Sequence, residues 1–176
     1  MTAPIVFVAG SPSLTSRSSL VARAVADALG AEGLETRSFS LRDFDPGDVL
    51  FARVDSGAIA SFVEAIKIAP AIVLSTPVYK ATYTGALKAL VDLVPPDALV
   101  GKPALGIGTV RLPEHGHSLS TAYAALFGFF RARALDTLVV LDSQFEGEST
   151  SLTLGAAARE RVGAAARALG ETLTQG

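Results

Sequence analysis

A serine-rich segment near the amino end, residues 10–19, carries the first side chains suited to binding a ligand. It lies between an apolar run at residues 5–9 and a stretch at 19–29 with the spacing of an amphipathic helix. Because free N–H groups and the helix dipole converge where a loop enters a helix, the segment predicts an anion site. Many hydroxyls, one arginine (Arg17) and no G-x-G-x-x-G spacing favour a phosphate monoester over a diphosphate. The alternative is that the serines only cap the helix.

A second polar stretch, residues 75–84, follows an apolar run at 72–74 that is typical of a central strand buried on both faces. Pro77 fixes its own φ and holds the preceding residue extended. We therefore expect the chain to leave the strand here and to present main-chain N–H and C=O groups to a flat ligand. Tyr79 is suited to packing against a ring, and Lys80 adds a cation. An ordinary turn into a core helix, with Lys80 in solvent, is the alternative.

The elements that must position these stretches form an alternating pattern of strands and helices. The pattern predicts one α/β domain over residues 1–176, with a five-stranded parallel sheet and helices on both faces. Strand order 2-1-3-4-5 would place the two polar stretches side by side, at the carboxyl ends of strands one and three. Thr84 is expected to cap the helix that follows. The predicted strands are residues 5–9, 36–41, 72–74, 102–109 and 135–142, and the predicted helices are 19–29, 48–52, 56–69, 85–93 and 150–174.

Composition narrows the classes of function. Hydrophobic residues make up 49% of the chain, yet no window approaches the roughly 18 apolar residues of a membrane span, so we expect a large core plus a subunit interface and no membrane partner. A net charge of -2 without a long basic run argues against a nucleic-acid partner. The absence of cysteine excludes disulfides and thiolate catalysis. The amino end has no basic leader, which predicts a cytoplasmic protein.

Three other chemistries are rejected. His115 and His117 have too few carboxylates nearby for a metal site, and we predict that they lie in a flexible loop at the mouth of the ligand site. Residues 116–120 resemble a nucleophile elbow, but Ser120 replaces its closing glycine and no histidine follows. A Walker loop is excluded because Pro96 stands five residues before Gly101. We predict no bound metal.

The remaining features fit FMN. A single phosphate pocket, a main-chain ledge and an aromatic residue match a ligand with one phosphate and one planar ring with amide-like edges. Lys80 is suited to favouring negative charge near N1 of the reduced flavin, although a solvated lysine is the alternative.

Six motifs follow one another along the chain: GSP at 10–12, SRSS at 16–19, LFARVDS at 50–56, TPVYKA at 76–81, TGALK at 84–88 and DSQ at 142–144. Together they resemble the NAD(P)H-dependent FMN reductases of the flavodoxin-like superfamily, and in particular the flavin-supplying component of two-component alkanesulfonate monooxygenases. The resemblance implies a flavodoxin-like three-layer sandwich and hydride transfer from NADPH or NADH to FMN. It also implies delivery of reduced flavin to a partner monooxygenase of sulfur metabolism, and a homodimer or homotetramer built on the helix at 85–93.

The resemblance also assigns site residues, all of them to flavin binding. Catalysis then needs no protein acid or base, because the nicotinamide stacks on the flavin. The implied phosphate ligands are Ser11, Ser16, Arg17, Ser18 and Ser19; the implied ring contacts are Pro77, Val78, Tyr79 and Lys80, with Thr109 at the end of strand four.

Three positions depart from the family pattern. Ser13 stands where relatives often have arginine, and residues 108–111 read GTVR where relatives tend to have a Gly-Gly-Thr-type turn beneath the flavin. A tyrosine that opens a π-bulge in some members falls near Thr121 or Tyr123. Two alternatives stay open: a quinone, azo-dye or metal-ion reductase that retains its FMN, and a flavodoxin-type electron carrier.

Overall fold

The computed structural model describes residues 3–148 and 151–174, and a parallel sheet of order β2-β1-β3-β4-β5 forms its centre. This confirms the predicted strand order. The sheet strands are β1 (Ile5–Ala9), β2 (Thr36–Ser40), β3 (Ile72–Pro77), β4 (Pro103–Val110), β5 (Arg133–Ala134) and β6 (Leu138–Leu141). The helices are α1 (Arg17–Ala31), α2 (Pro46–Leu50), α3 (Gly57–Ile68), α4 (Gly85–Val91), α5 (Glu114–Phe129) and α6 (Ala156–Thr174).

The strands divide the core into two parts because successive side chains point to opposite faces of the sheet. Ile5 and Phe7 belong to the cluster formed with α1 and α6. Val6 and Val8 belong to the cluster formed with α3, α4 and α5. The chain is therefore a three-layer α/β sandwich, as predicted. None of its helices within the described ranges is long and apolar enough to cross a membrane.

Of the predicted fifth strand, residues 135–142, only β6 (Leu138–Leu141) forms, and the short strand β5 (Arg133–Ala134) precedes the predicted range; both pair with β4. Ala134 is opposite Ala104, and Leu138 is opposite Ile107. Three residues thus separate the two pairings on the outer strand, where β4 has two. The extra residue makes a bulge, which an alternating sequence pattern does not reveal.

The predicted closing helix begins later than expected. An antiparallel pair, β7 (Phe145–Glu146) with β8 (Thr153–Leu154), precedes α6. Thr150, where we expected the helix to begin, lies outside the described residues. Gly155 ends the hairpin segment with its N–H donating to the Gln144 carbonyl, and the alanine-rich pattern begins immediately after it.

Two predictions of local conformation were wrong. His115 and His117 lie in the first turn of α5 and not in a flexible loop. Pro113, just before this helix, was the available signal, because proline is common where helices begin. β3 also continues through Pro77, opposite Thr109 of β4. On its other side β3 pairs with β1 only as far as Ser75, so proline's missing N–H falls beyond that ladder.

Candidate functional site

The carboxyl ends of β1, β3 and β4 meet at one edge of the sheet. Ala9 is opposite Ser75, and Pro77 is opposite Thr109. The serine-rich segment that follows β1 and the segment that follows β3 are therefore neighbours. This is the arrangement that the strand order predicted.

Hydrogen bonds connect these two segments directly. The Gly10 N–H donates to the Ser75 carbonyl over 2.7 Å, and the buried Thr84 hydroxyl donates to the Gly10 carbonyl. The Thr84 N–H donates in turn to the hydroxyl of buried Thr76 over 3.0 Å. Thr84 also accepts from the Leu87 N–H at 3.1 Å, which confirms it as the predicted N-cap of α4. The edge of the sheet is held rigid around Thr84.

Gly10 allows the first segment to lie directly against α4. A Cβ atom at this position would be 2.6 Å from the Leu87 Cβ, closer than real Cβ contacts. Since Leu87 is fully buried, its side chain has little room to retreat.

The serine-rich segment is shaped mostly by its own hydroxyls. Ser16 is the N-cap of α1 and accepts from the Ser19 N–H at 3.3 Å, while its hydroxyl lies 2.9 Å from that of buried Ser18. The Ser11 hydroxyl accepts from the Ser13 N–H at 3.2 Å. The hydroxyls of Ser11, Ser16 and Ser18 therefore support the loop. The backbone N–H groups of Arg17 and Ser18, the first two residues of α1, have no acceptor within the helix and are the natural anion donors.

Arg17 lies where a cation is electrostatically disfavoured, in the first turn of α1. The first turn contains no acidic residue. The Arg17 guanidinium Nε lies 3.8 Å from Asp142 Oδ1, and the Arg17 side chain is 46% exposed. An anion bound at this helix end would interact favourably with both the arginine and the dipole.

The segment after β3 forms a small ledge, residues 77–82. Val78 donates its N–H to the Thr109 carbonyl over 3.0 Å. Tyr79 and Thr82 then exchange two backbone hydrogen bonds, of 3.0 and 3.3 Å, around a two-residue turn. The central residues Lys80 and Ala81 have φ values of 53° and 71°, the left-handed region that suits glycine. A lysine and an alanine gave no sequence signal for this turn.

Strain and exposure coincide on the ledge. Non-glycine residues in the left-handed region each cost about 1–2 kcal/mol, and such conformations concentrate at binding sites. The Tyr79 residue is 51% exposed, and the turn itself lies in solvent. The ledge thus presents an aromatic ring, a cation and main-chain groups to solvent on a fixed scaffold.

The departures from the family pattern have structural consequences. Residues 108–110 lie inside β4, and Thr109 is buried, so it reaches the ledge through its carbonyl. Near Ser13, the Arg42 Nη2 donates to the Pro12 carbonyl over 2.8 Å, which brings a second arginine to the serine-rich segment. Sequence reasoning missed this residue because it comes from the turn after β2.

Tyr123 lies behind the site, in a regular α5 without a π-bulge across Glu114–Phe129. It is fully buried, and its hydroxyl donates to the Leu74 carbonyl over 2.9 Å. Burial, and then repulsion from Tyr83, raise the pKa of Tyr123 well above its ordinary value of 10.0. Gly106 makes room for the ring, since a Cβ there would be 2.4 Å from Tyr123 Cδ2. Tyr123 therefore ties α5 to the strands beneath the ledge.

Two comparisons of sequence identify relatives. The family model for NADPH-dependent FMN reductase matches residues 3–147. The FMN reductase (NADPH) of Escherichia coli (strain K12) is 42% identical over 131 residues, covering 74% of this chain and 69% of that protein.

Solved structures agree with this result. An NADH:FMN oxidoreductase (EMOB) in its apo form has a TM-score of 0.87 at 26% identity, covering 97% of this chain and 90% of that one. A flavodoxin from the domain Archaea has a TM-score of 0.70 at 12% identity, covering 97% and 99% of the two chains, a likeness of fold alone. The predicted flavodoxin-like fold is confirmed.

Proposed function

Because the chain belongs to the NADPH-dependent FMN reductase family, we propose that it binds FMN at the edge formed by residues 10–19 and the ledge at 77–82. The protein is an NAD(P)H-dependent FMN reductase. In its reaction, the flavin ring accepts a hydride from NADPH or NADH. The observation that carries the assignment is the adjacency of a helix N-terminus bearing Arg17 and an exposed, rigid main-chain ledge.

The serine-rich segment fits the phosphate. The first-turn amides of α1 and the Arg17 guanidinium are donors at a helix end where the dipole favours negative charge. Ser16 and Ser19 lie at this entrance, whereas Ser11 and Ser18 support the loop from inside. The phosphate is the negatively charged part of FMN, so it is the part that a helix N-terminus beside an arginine attracts most strongly.

The ledge fits the flavin ring. Pro77 and Val78 are held against β4, with Thr109 accepting from Val78. Tyr79 offers an aromatic face, and Lys80 lies in the strained turn with its charge in solvent. These residues orient the ring, and positioning alone supplies several kcal/mol of a bimolecular barrier. No protein proton donor is needed for hydride transfer.

Substitution of Arg17 tests the phosphate assignment. Losing charge-assisted hydrogen bonds of about 1.5–3 kcal/mol should raise the KM for FMN roughly 10- to 100-fold in Arg17→Ala. Riboflavin lacks the phosphate, so its KM should be unchanged. Arg167→Ala, on exposed α6, is the matched control that loses an arginine far from the site. Equal effects on FMN and riboflavin would show that Arg17 does not bind the phosphate.

The proposal includes release of the reduced flavin to a partner flavin-dependent monooxygenase. The exposure of Tyr79 and of the turn at 80–81 supports it, because a ring on this ledge is not enclosed by the protein. Under anaerobic conditions, a catalytic amount of enzyme with excess NADPH should reduce a hundredfold molar excess of FMN. Reduction of a single equivalent per protomer, with rapid turnover on a quinone, would instead identify a reductase that retains its FMN.

Self-association is part of the same proposal. An apolar groove of about 570 Å³ lies between α2 and α4. The side chains that line it include Phe44, Val49, Leu50, Ala86 and Ala89. Leu50 and Phe51 are 72% and 70% exposed. Large apolar side chains clustered in this way are typical of protein interfaces. We infer that a second copy of the chain covers this face.

A further inference from the structure

Arg17 has two contacts from one segment, residues 142–145, which follows β6. The Asp142 carboxylate lies 3.8 Å from Nε, and the guanidinium Cζ lies 5.8 Å from the centroid of the Phe145 ring. This segment comes from the far end of the chain relative to the serine-rich loop.

The segment is a built structure. Residues 142–144 form a 3-10 turn, in which the Gln144 side chain accepts from the Leu141 N–H at 2.9 Å. The Gln144 carbonyl accepts from the Gly155 N–H at 2.8 Å, and Phe145 begins the β7–β8 pair. Asp142 and Phe145 are thus fixed relative to the sheet.

The contacts determine how the guanidinium can be used. Asp142 lies on the Nε side and Phe145 lies within cation–π distance of the group. The ion pair with Asp142 is made through Nε. Arginine binds a phosphate best through paired N–H groups, and the two Nη nitrogens carry such a pair. A free arginine would instead lose most of its rotamer freedom on binding.

We propose that Asp142 and Phe145 are positioning residues that hold Arg17 ready for the flavin phosphate, so that the segment after β6 sets the preference for phosphorylated flavin. The inference rests on the proposed function of Arg17. Asp142 also has an opposing effect, because its negative charge weakens attraction of a nearby phosphate. Removal of that charge should therefore raise the KM for FMN if positioning of Arg17 dominates, and lower it if charge repulsion dominates.

The test compares KM for FMN and riboflavin, with saturating NADPH, in Asp142→Asn and Phe145→Leu. Since partly exposed ion pairs and cation–π contacts are modest, we expect a two- to fivefold rise in KM for FMN. KM for riboflavin and kcat should stay within experimental error. Asp136 is an exposed aspartate between β5 and β6, and Asp136→Asn is the matched control, which should leave the KM for both flavins unchanged.

A double variant isolates the pathway through Arg17. In the Arg17→Ala background, Asp142→Asn should cause no further change in KM for FMN, because the effects of substituting two residues that act through one interaction are not additive. A lower KM for FMN in Asp142→Asn, a parallel change with riboflavin, or full additivity would overturn the proposal. If Arg17→Ala itself does not distinguish the two flavins, the phosphate assignment has failed as well. If Phe145→Leu does not fold, the KM values of Asp142→Asn for FMN and riboflavin test the proposal alone.

Discussion

Tyr123 shows how one residue behind the site can affect the whole edge. Its ring is buried beside Phe127 and Tyr83, and its hydroxyl bonds to the carbonyl of Leu74, one residue before the segment that leads into the ledge. The family resemblance placed a π-bulge near Thr121 or Tyr123, but it did not predict the role of Tyr123 behind the site. That role depends on Gly106, which lies across the interface between α5 and β4.

The raised pKa of Tyr123 predicts alkaline sensitivity. In the folded protein the phenol stays neutral, whereas in the unfolded chain it ionises near its ordinary value of 10.0. Its contribution to stability is therefore complete below about pH 10 and falls as the pH rises above it, by up to about 1.4 kcal/mol per pH unit. Denaturant titrations between pH 8 and 11.5 measure this slope. Tyr123→Phe should reduce it, and an unchanged slope would contradict burial of the hydroxyl.

Gly10 predicts a loss of stability through sterics alone. Gly10→Ala would place a methyl group against the buried Leu87 and should reduce the free energy of unfolding by about 1–3 kcal/mol. Gly57→Ala, at the first residue of α3, meets nothing within 4 Å and should be neutral or slightly stabilising. Denaturant midpoints of the two variants check the contrast. Equal midpoints would show that the loop does not lie against α4.

Among the elements, the ledge turn makes the sharpest prediction. Ala81→Gly should raise stability by about 1 kcal/mol, since glycine adopts its φ of 71° without the cost paid by alanine. Ala81→Val should lower it, because a β-branched residue is poorly accommodated there. Thermal unfolding of the pair gives the comparison. A destabilised Ala81→Gly would mean that the turn is not strained.

The elements also show what the sequence could and could not predict. Strands β1, β3 and β4 follow from apolar runs, β2 from alternation and the cap at Thr84 from hydroxyl placement, all of which are local signals. The β7–β8 pair is local, but its strands have two residues each, too few to show an alternating pattern. The bulge between β5 and β6 depends on pairing with β4, which comes from another part of the chain. The contacts of Arg42 with Pro12 and of Arg17 with Asp142 likewise join segments far apart in the chain. The candidate site could thus be located by motif, but its supporting contacts could not.

At the scale of the whole molecule, the apolar groove between α2 and α4 predicts self-association. Leu50→Glu should shift the protein towards monomer in sedimentation velocity, because a charge would be buried at the interface. Phe129 is similarly exposed, at the end of α5, and Phe129→Glu is a control on another surface. If Leu50→Glu leaves the sedimentation coefficient unchanged, the groove is not the interface.

Helices cover both faces of the sheet, and the loops that follow β1, β3, β4 and β6 converge at its carboxyl edge. We propose that this edge recognises a flavin by its phosphate and its ring together. The most direct measurement is the rate of NADPH and NADH oxidation by flavin-free protein, followed at 340 nm with added FMN, FAD or riboflavin. We expect saturable turnover with a lower KM for FMN than for riboflavin. Equal KM values, or no turnover with free flavin, would contradict it.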